Sequence, residues 1–599
     1  MAEYLTPGVY VEEFDSGVKA MEGVGTSTAG FIGMAEKGRT QGVPVLITSV
    51  GDFQRSFGGQ LSKAEYGENR YLPYAVEAFF ANGGGSCYVM RVTPGGADTS
   101  KGEIALKSGN AEYGKITFEA SSVGKWGDGI KIKIDEDFIS KTIINKADGL
   151  KLTVSNTSCF CVGDLLRLTA VKVSTGDDGS IKKDSPEYIN LIISEINGDV
   201  ITVTGELPEY DIFTEQGNPL PDSFLQVCAV RVSITSGSIV EVYENVSLNP
   251  MSPLYISTAL SKSSLIDAKI SPVADSGDAP PFALKNEVLS KQFSSTSIQL
   301  GGGKNGNLTA PLTSDMLTGG EDVAGKRIGL NAFKELSDVS IMAIPGCYSP
   351  DVHAALIGHC EGLKSRFAVL DTCIDEVEIT KLTVYKDKFD TNYAAIYHPW
   401  LQVYSGVEKG NTFIPPSGSV AGIYARTDNE RGVWKAPANE VVRGITGLSV
   451  NYNDAEQGKL NPKGINLIRA LPSYGIRVWG ARTLSSDGNW KYVNVRRLFI
   501  YIEESIKANT NWAVFEPNDE NLWSRVQGTI RVFLTTLWRN GALVGSSADE
   551  AFYVNVGKGS TMTEDDILNG RLICVIGVAP VRPAEFIIFR ITQKMQDAE

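Results

Sequence analysis

With 599 residues, 42% of them apolar and 21% charged, the chain is too long for one hydrophobic core, and its composition excludes a disordered or collagen-like protein; about three to five domains are expected. Its 56 basic and 70 acidic side chains give a net charge of −14 without a concentrated Lys/Arg stripe, which argues against nucleic-acid binding, where phosphate neutralisation supplies the affinity. No run reaches the about 18–20 apolar residues of a membrane span, and the opening MAEYLTPGVYVEEF lacks the basic and apolar regions of a secretory leader, so synthesis in a cytoplasm without membrane insertion is expected.

In chain order, residues 1–25 read as an extended, turn-rich arm with one β-prone piece at Val9-Tyr10-Val11. The texture then becomes α/β. STAGFIGMAEKG and VPVLITSV predict strands, LPYAVEAFFANGG a glycine-closed helix, and CYVMRV a further apolar strand. The same texture resumes with a helix over AGKRIGLNAFKEL, a buried strand in VSIMAIPG, a helix over DVHAALIGHCEGL and a strand in RFAVLDTC. Strands alternating with helices at this spacing imply a mainly parallel sheet. The two halves, about 26–95 and 315–400, then form one α/β domain interrupted by an insertion. Alternating patterns such as KITFEA, IKIKI, VITVTGEL and VRVSI make that insertion antiparallel β, with residues 140–228 expected as a small barrel of their own.

Beyond about residue 405, two amphipathic helices are expected. One carries the stripe Val495, Leu498, Phe499, Ile502 and Ile506; the other carries Leu522, Val526, Ile530, Leu534 and Leu537. The β-like AFYVNVG, a short helix in MTEDDILNG and the strand LICVIGVAP follow. The chain ends on PVRPAEFIIFRITQKMQ, whose Phe586–Ile591 run is strongly β-prone. Arg582-Pro583 interrupts continuation of the preceding strand, because proline donates nothing to a ladder. A separable apolar strand at a chain end needs a sheet edge, its own or that of another chain.

Enzymatic chemistry finds little support. Gly320 to Arg327 (GEDVAGKR) resembles a phosphate-binding loop, but Arg327 stands where Ser or Thr would hold magnesium, and Glu321 and Asp322 would repel phosphates. Gly301, Gly303 and Gly306 have GxGxxG spacing without a following helix. His353 and His359 lie six residues apart, on different faces of one helix at about 100° per residue, and neither HExxH nor paired CxxC accompanies them. The eight cysteines are expected to be reduced and mostly buried thiols. There is no G-x-S-x-G elbow. Asp371 at a strand end and His398 before Pro399-Trp400 are the groups an α/β hydrolase-like enzyme with β appendages would use; each also fits a packing role. No catalytic residue, cofactor or metal is therefore nominated.

From end to end the chain resembles the contractile tail sheath family: phage tail sheaths and the sheaths of tail-derived contractile injection systems. The resemblance runs through YLTPGVYVEEFDSGVKAMEGVGTSTAGFIGMAEKG, VPVLITSVGDFQRSFGG, YLPYAVEAFFANGGGSCYVMRV, GKWGDGIKIKI, VEVYENVSLNPMSPLYI, YHPWLQVYSG, PPSGSVAGIYARTDNERGVWKAPAN, GINLIRALPSYGIRVWGARTL, YVNVRRLFIYIEESI and RPAEFIIFRI. Residues 140–228 have no counterpart in it. It implies a multidomain α/β and α+β protein: an N-terminal arm (1–25), the first half of an α/β domain (26–96), inserted β-rich modules (97–314), the second half (315–400), a C-terminal sheath domain (401–580) and an arm strand (581–599).

It also implies a structural, non-enzymatic subunit, stacked as hexameric rings around an inner tail tube and contracting to drive the tube through an envelope. Baseplate and tail terminator proteins would be its other partners, in a virion tail or phage-tail-like particle. The arms would reach neighbouring subunits through Val9, Tyr10, Val11, Glu12 and Glu13 at one end and Glu585, Phe586, Ile587, Ile588, Phe589, Arg590 and Ile591 at the other. Glu564, Asp565 and Asp566, after the N-cap Thr563, would face the inner tube, with Glu503-Glu504 and Asp519-Glu520 as alternatives. A non-contracting shell protein is the structural rival.

Overall fold

The computed structural model describes residues 21–108, 111–170, 173–175, 181–183, 187–205, 224–272, 296–320 and 324–588. The chain divides into two units: one comprises residues up to Ala35, Thr40–Val92 and the chain from Thr309 onward, the other Glu36–Arg39 and Thr93–Leu308.

A nine-stranded sheet organises the first unit, in the order Val45–Ile47, Cys87–Arg91, Ala29–Gly33, Ile341–Ala343, Phe367–Asp371, Ala394–His398, Ile465–Leu471, Gly475–Val478, Glu440–Val441. The strands from Cys87–Arg91 to Ile465–Leu471 are mutually parallel, and antiparallel strands flank them on both sides. The expected end of the α/β domain at residue 400 is thereby corrected: three strands from beyond it extend the same sheet. Successive side chains alternate between faces, as the pleat requires. Phe31, Ile341, Phe367, Val369, Ala395 and Tyr397 enter one core, while Ile32, Met342, Ala368, Leu370 and Ile396 enter the other. Burial on both faces is why these strands read as continuous apolar runs.

On the first face the helices Tyr71–Ala81 and Ser417–Arg431 approach backbone to backbone. A Cβ on Gly418 would lie 2.4 Å from the Ala75 carbonyl oxygen, and one on Gly422 2.4 Å from that of Phe79. The second face receives the helix Pro350–Leu363. The helix expected over AGKRIGLNAFKEL is instead a 3-10 helix, Gly329–Glu335. The Phe333 carbonyl accepts from Leu336 N–H and from the Arg366 guanidinium, which also takes the Leu336 carbonyl just beyond the helix.

The same unit contains two long helices, Val493–Asn509 and Glu520–Arg539, the second capped by Asp519. Leu498 and Ile502 of the first meet Leu522, Val526, Ile530, Leu534 and Leu537 of the second in one core. Phe552 and Val554 from the hairpin Phe552–Val556/Cys574–Val578 complete it.

In the second unit, the strands Lys101–Ser108, Ala111–Ala120 and Ile266–Pro272 form one antiparallel sheet. A second sheet is built on two long strands, Lys131–Thr142 and Phe224–Ser236. The segment 140–228 is not separate from it, because both long strands pass through two cores. Ile132, Ile134, Val232 and Ile234 belong to one, whereas Val227 and Leu225 join Leu152, Leu168, Leu191 and Ile201 in the other. Only Ile143 separates Lys131–Thr142 from the next strand, Ile144–Asp148. The pairing path through Lys151–Val154, Val200–Thr204, Glu187–Asn197, Leu165–Ala170 and Phe224–Ser236 therefore returns to the strand it left, a barrel-like closure around the second core.

Candidate subunit-docking surface

The first and last described segments of the chain both meet the helix Val493–Asn509. Arg497, Tyr501, Ser505 and Asn509 recur every four residues and make a stripe along it. The Asn509 amide exchanges hydrogen bonds with the Glu22 backbone, donating to its carbonyl at 2.8 Å and accepting from its N–H at 3.4 Å. Val24 N–H donates to Ser505 Oγ at 3.1 Å, and Arg497 Nη2 to the Thr26 carbonyl at 2.9 Å. Gly23 crosses the Tyr501 ring so closely that a Cβ would fall 1.8 Å from its hydroxyl. Beneath Thr26 lies a buried ion pair, with Arg497 Nη2 2.6 Å from Asp428 Oδ2 and Thr26 Oγ1 donating to the same oxygen at 2.7 Å.

At the other end of the helix, Asn494 donates to the Val581 carbonyl, and Glu585 is held from several sides. Arg482 donates to it through Nε (2.8 Å) and Nη2 (2.6 Å), Asn461 through Nδ2 (2.7 Å) and Tyr492 through its hydroxyl (3.0 Å). Burial works against the charge, yet the hydrogen bonds from Arg482 and Asn461 hold the Glu585 pKa below its ordinary value. Such a group stabilises above the unfolded glutamate pKa of about 4.3 and loses that contribution as pH falls through the lowered folded value. Protection of the Val581 amide, which donates to the Ala542 carbonyl at 3.2 Å, should therefore fall below about pH 4 once intrinsic exchange rates are divided out, and at neutral pH in Glu585→Gln. Unchanged protection in that variant would show that the tether is not electrostatic.

Glu585, expected among the arm residues, is held by its own body in the single chain. The next three residues are largely exposed: Phe586, Ile587 and Ile588 are 72%, 73% and 79% exposed and belong to no strand. Phe589, Arg590 and Ile591 lie outside the described residues, as do Val9, Tyr10, Val11, Glu12 and Glu13. The hairpin Phe552–Val556/Cys574–Val578 forms a two-stranded sheet, so among the described residues each strand keeps an unpaired edge.

The short helix Glu564–Leu568 begins with the expected cap, Thr563 Oγ1 accepting from Asp566 N–H. Two of its three acids are engaged on their own chain, Glu564 with Lys558 at 2.6 Å and Asp566 with Arg571 at 2.8 Å. Asp565 is exposed and has no side-chain partner among the described residues. Of the alternatives, Glu503 pairs with Arg496, Glu504 with Lys507, and Asp519 caps its helix.

The groups weighed for catalysis are packed away. Asp371 accepts from Gly346 N–H, Ser417 N–H and Ser417 Oγ, and its burial pushes the carboxyl up to about 7. His398 is buried between the Thr372 hydroxyl (2.7 Å) and the Tyr452 hydroxyl (2.9 Å), and burial lowers its pKa to about 3. His353 meets Tyr385, and His359 meets Arg366. No group of three potential metal ligands occurs among the described residues. All eight cysteines are free, but only Cys87, Cys228 and Cys360 are buried, fewer than expected.

Residues 317–484 match the phage tail sheath protein central domain, and residues 485–594 the phage tail sheath C-terminal domain. Over these two adjoining stretches the chain is similar to the contractile tail sheath family. A prophage major tail sheath protein of Pseudomonas aeruginosa is 29% identical over 250 residues, 39% of this chain, and the matched part spans 63% of that protein's length. The sheath of an extracellular contractile injection system, PVC, in its contracted state aligns over 99% of both chains with 22% identity and a TM-score of 0.51. The helical sheath of the anti-feeding prophage, also contracted, aligns over 99% of this chain and all of its own, with 22% identity and a TM-score of 0.50. The two likenesses show a common fold.

Sequence reasoning found the apolar terminal run but missed the stripe that receives the N-terminal segment. Its signal was present as polar residues at four-residue spacing beside the apolar stripe of YVNVRRLFIYIEESIKAN.

Proposed function

We propose that this chain is the structural subunit of a contractile sheath, polymerising as stacked hexameric rings around an inner tail tube in a phage tail or phage-tail-like injection particle. The observation that carries the reading is the junction at Glu585, where a chain tied firmly to its own body becomes three exposed apolar residues of high β propensity. Such a segment is suited to completing an unpaired edge on another subunit, and the Phe552–Val556/Cys574–Val578 hairpin offers edges of that kind. A strand exchanged head to tail does not close on itself and so builds a filament. Residues 1–20 would add a second connection, and Asp565 is the acid left for the inner tube. Baseplate and terminator proteins would bound the stack.

With no nucleotide site in this reading, the stroke draws on free energy stored at assembly: the extended lattice is kinetically trapped and the contracted packing lies lower. Electron microscopy of assembled particles should give striated tubes of two diameters, and calorimetry an exothermic conversion of the long form to the short one. Tubes of one fixed diameter would indicate a shell protein. Monomers with hydrolase activity would indicate an enzyme.

A further inference from the structure

The loop between the two long C-terminal helices presents one side chain in an unusual way. Phe515 is wholly exposed (103%) and sits at φ +66°, a backbone region that L side chains seldom occupy. Its neighbours do not let it relax. Val514 N–H donates to Asn511 at 3.2 Å, Asn518 Nδ2 donates to the Arg571 carbonyl at 3.1 Å, and Trp523 Nε1 donates to Asn518 Oδ1 at 2.7 Å. A strained aromatic held outward by a fixed loop is a pre-organised anchor, with little ordering left to do on binding. Glu516, Asp519 and Glu520 follow it, so the anchor sits in an acidic collar.

The same unit contains a matching socket. A cleft of about 860 Å³ is walled by Trp434, Pro462, Trp479 and Ala481, and the departing Val581–Ile587 segment closes one side. Of the charged residues that line it, Lys435 pairs with Glu440, Arg469 with Asp454 and Glu585 with Arg482. Arg431 is exposed and has no ion pair among the described residues.

We infer that Phe515 of one subunit seats in the Trp434–Trp479 cleft of a second copy, with Glu516 facing Arg431. The contact joins two different patches of the same molecule, so it is heterologous and propagates rather than closing. It is separate from the terminal strands, although it rests on the reading of the chain as a self-assembling subunit. Buried aromatic anchors of this kind carry much of an interface's affinity.

The test uses the full-length protein. Phe515→Ala should raise the concentration needed for polymerisation about tenfold or more, with thermal unfolding of the monomer unchanged. Glu516→Lys and Arg431→Glu should each weaken assembly, and the two together should restore it. In a Cys159→Ser background, Phe515→Cys with Ala438→Cys should give disulfide-linked oligomers that neither single cysteine gives. Wild-type polymers matched by Phe515→Ala polymers at the same concentration, or no linkage specific to the cysteine pair, overturn the contact while leaving the sheath reading intact. Normal polymers with lost binding to an inner tube protein would assign Phe515 to that protein instead. A wild-type chain that stays monomeric at every concentration overturns the self-assembly reading and this contact together.

Discussion

Removal of residues 586–599 leaves a folded body that no longer polymerises. The cut falls after Glu585, so the tether to Arg482, Asn461 and Tyr492 survives and the body keeps its own contacts. What is lost begins with Phe586, Ile587 and Ile588, which are exposed in the single chain. A strand of this length paired to another subunit makes about four to six main-chain hydrogen bonds, each contributing about 0.5–1.5 kcal/mol net. Burial of Phe586 and the isoleucines adds about 1.5–3 kcal/mol per side chain. Losing several kcal/mol at every link shifts assembly by orders of magnitude in concentration, because each 1.4 kcal/mol is about tenfold. Circular dichroism and the unfolding midpoint should be close to wild type, while pelleting and filaments disappear. Sheaths assembled normally from the truncated chain would refute strand exchange at this end, and deletion of residues 1–20 applies the same test to the other.

The central sheet was readable because its strands are buried on both faces. AGFIG is apolar throughout, FAVLD and AAIYH up to their last residues, Asp371 and His398, and the helices between them set the parallel pattern. Its extent was not readable. Ile465–Leu471 joins Ala394–His398 across a long intervening segment, and nothing in local periodicity says which edge a strand will choose. The AGKRIGLNAFKEL error has a local cause: Gly329 adopts φ +53°, and the Arg366 guanidinium donates to the Phe333 and Leu336 carbonyls. The closure of the 140–228 segment was legible in its alternation, but its sharing of long strands with the rest of the insertion was not. At the docking surface, the apolar run Phe586–Ile588 announced itself, whereas the hold on Glu585 did not. Only the positions of Arg482, Asn461 and Tyr492, far away in sequence, show that its own body holds it in the single chain.

Replacing Arg497 by Met should be the most destabilising single change on the helix Val493–Asn509. Arg497 and Asp428 are 4% and 3% exposed and pair through two contacts, of 2.9 and 2.6 Å. Burial pushes the Asp428 carboxyl up, and the attraction of Arg497 opposes that shift. Methionine fills the space over Tyr424 but leaves Asp428 buried without a counter-charge. Breaking one side of a buried pair costs about 3–5 kcal/mol, whereas replacing both sides by apolar residues is often close to neutral. Arg497→Met with Asp428→Leu should therefore recover most of the loss in denaturant unfolding. An exposed pair gives the contrast: Arg531→Ala, which removes the 2.7 Å contact to Asp549, should cost less than about 1 kcal/mol. The double variant should still differ from wild type in one respect. The Thr26 carbonyl and hydroxyl both lose their partners, so exchange at the Val24 amide should remain fast even where global stability is restored. If stability and Val24 protection recover together, the pair holds the body and not the N-terminal segment. If Val24 alone stays unprotected, Arg497 and Asp428 are the point at which the N-terminal arm is fastened to the subunit.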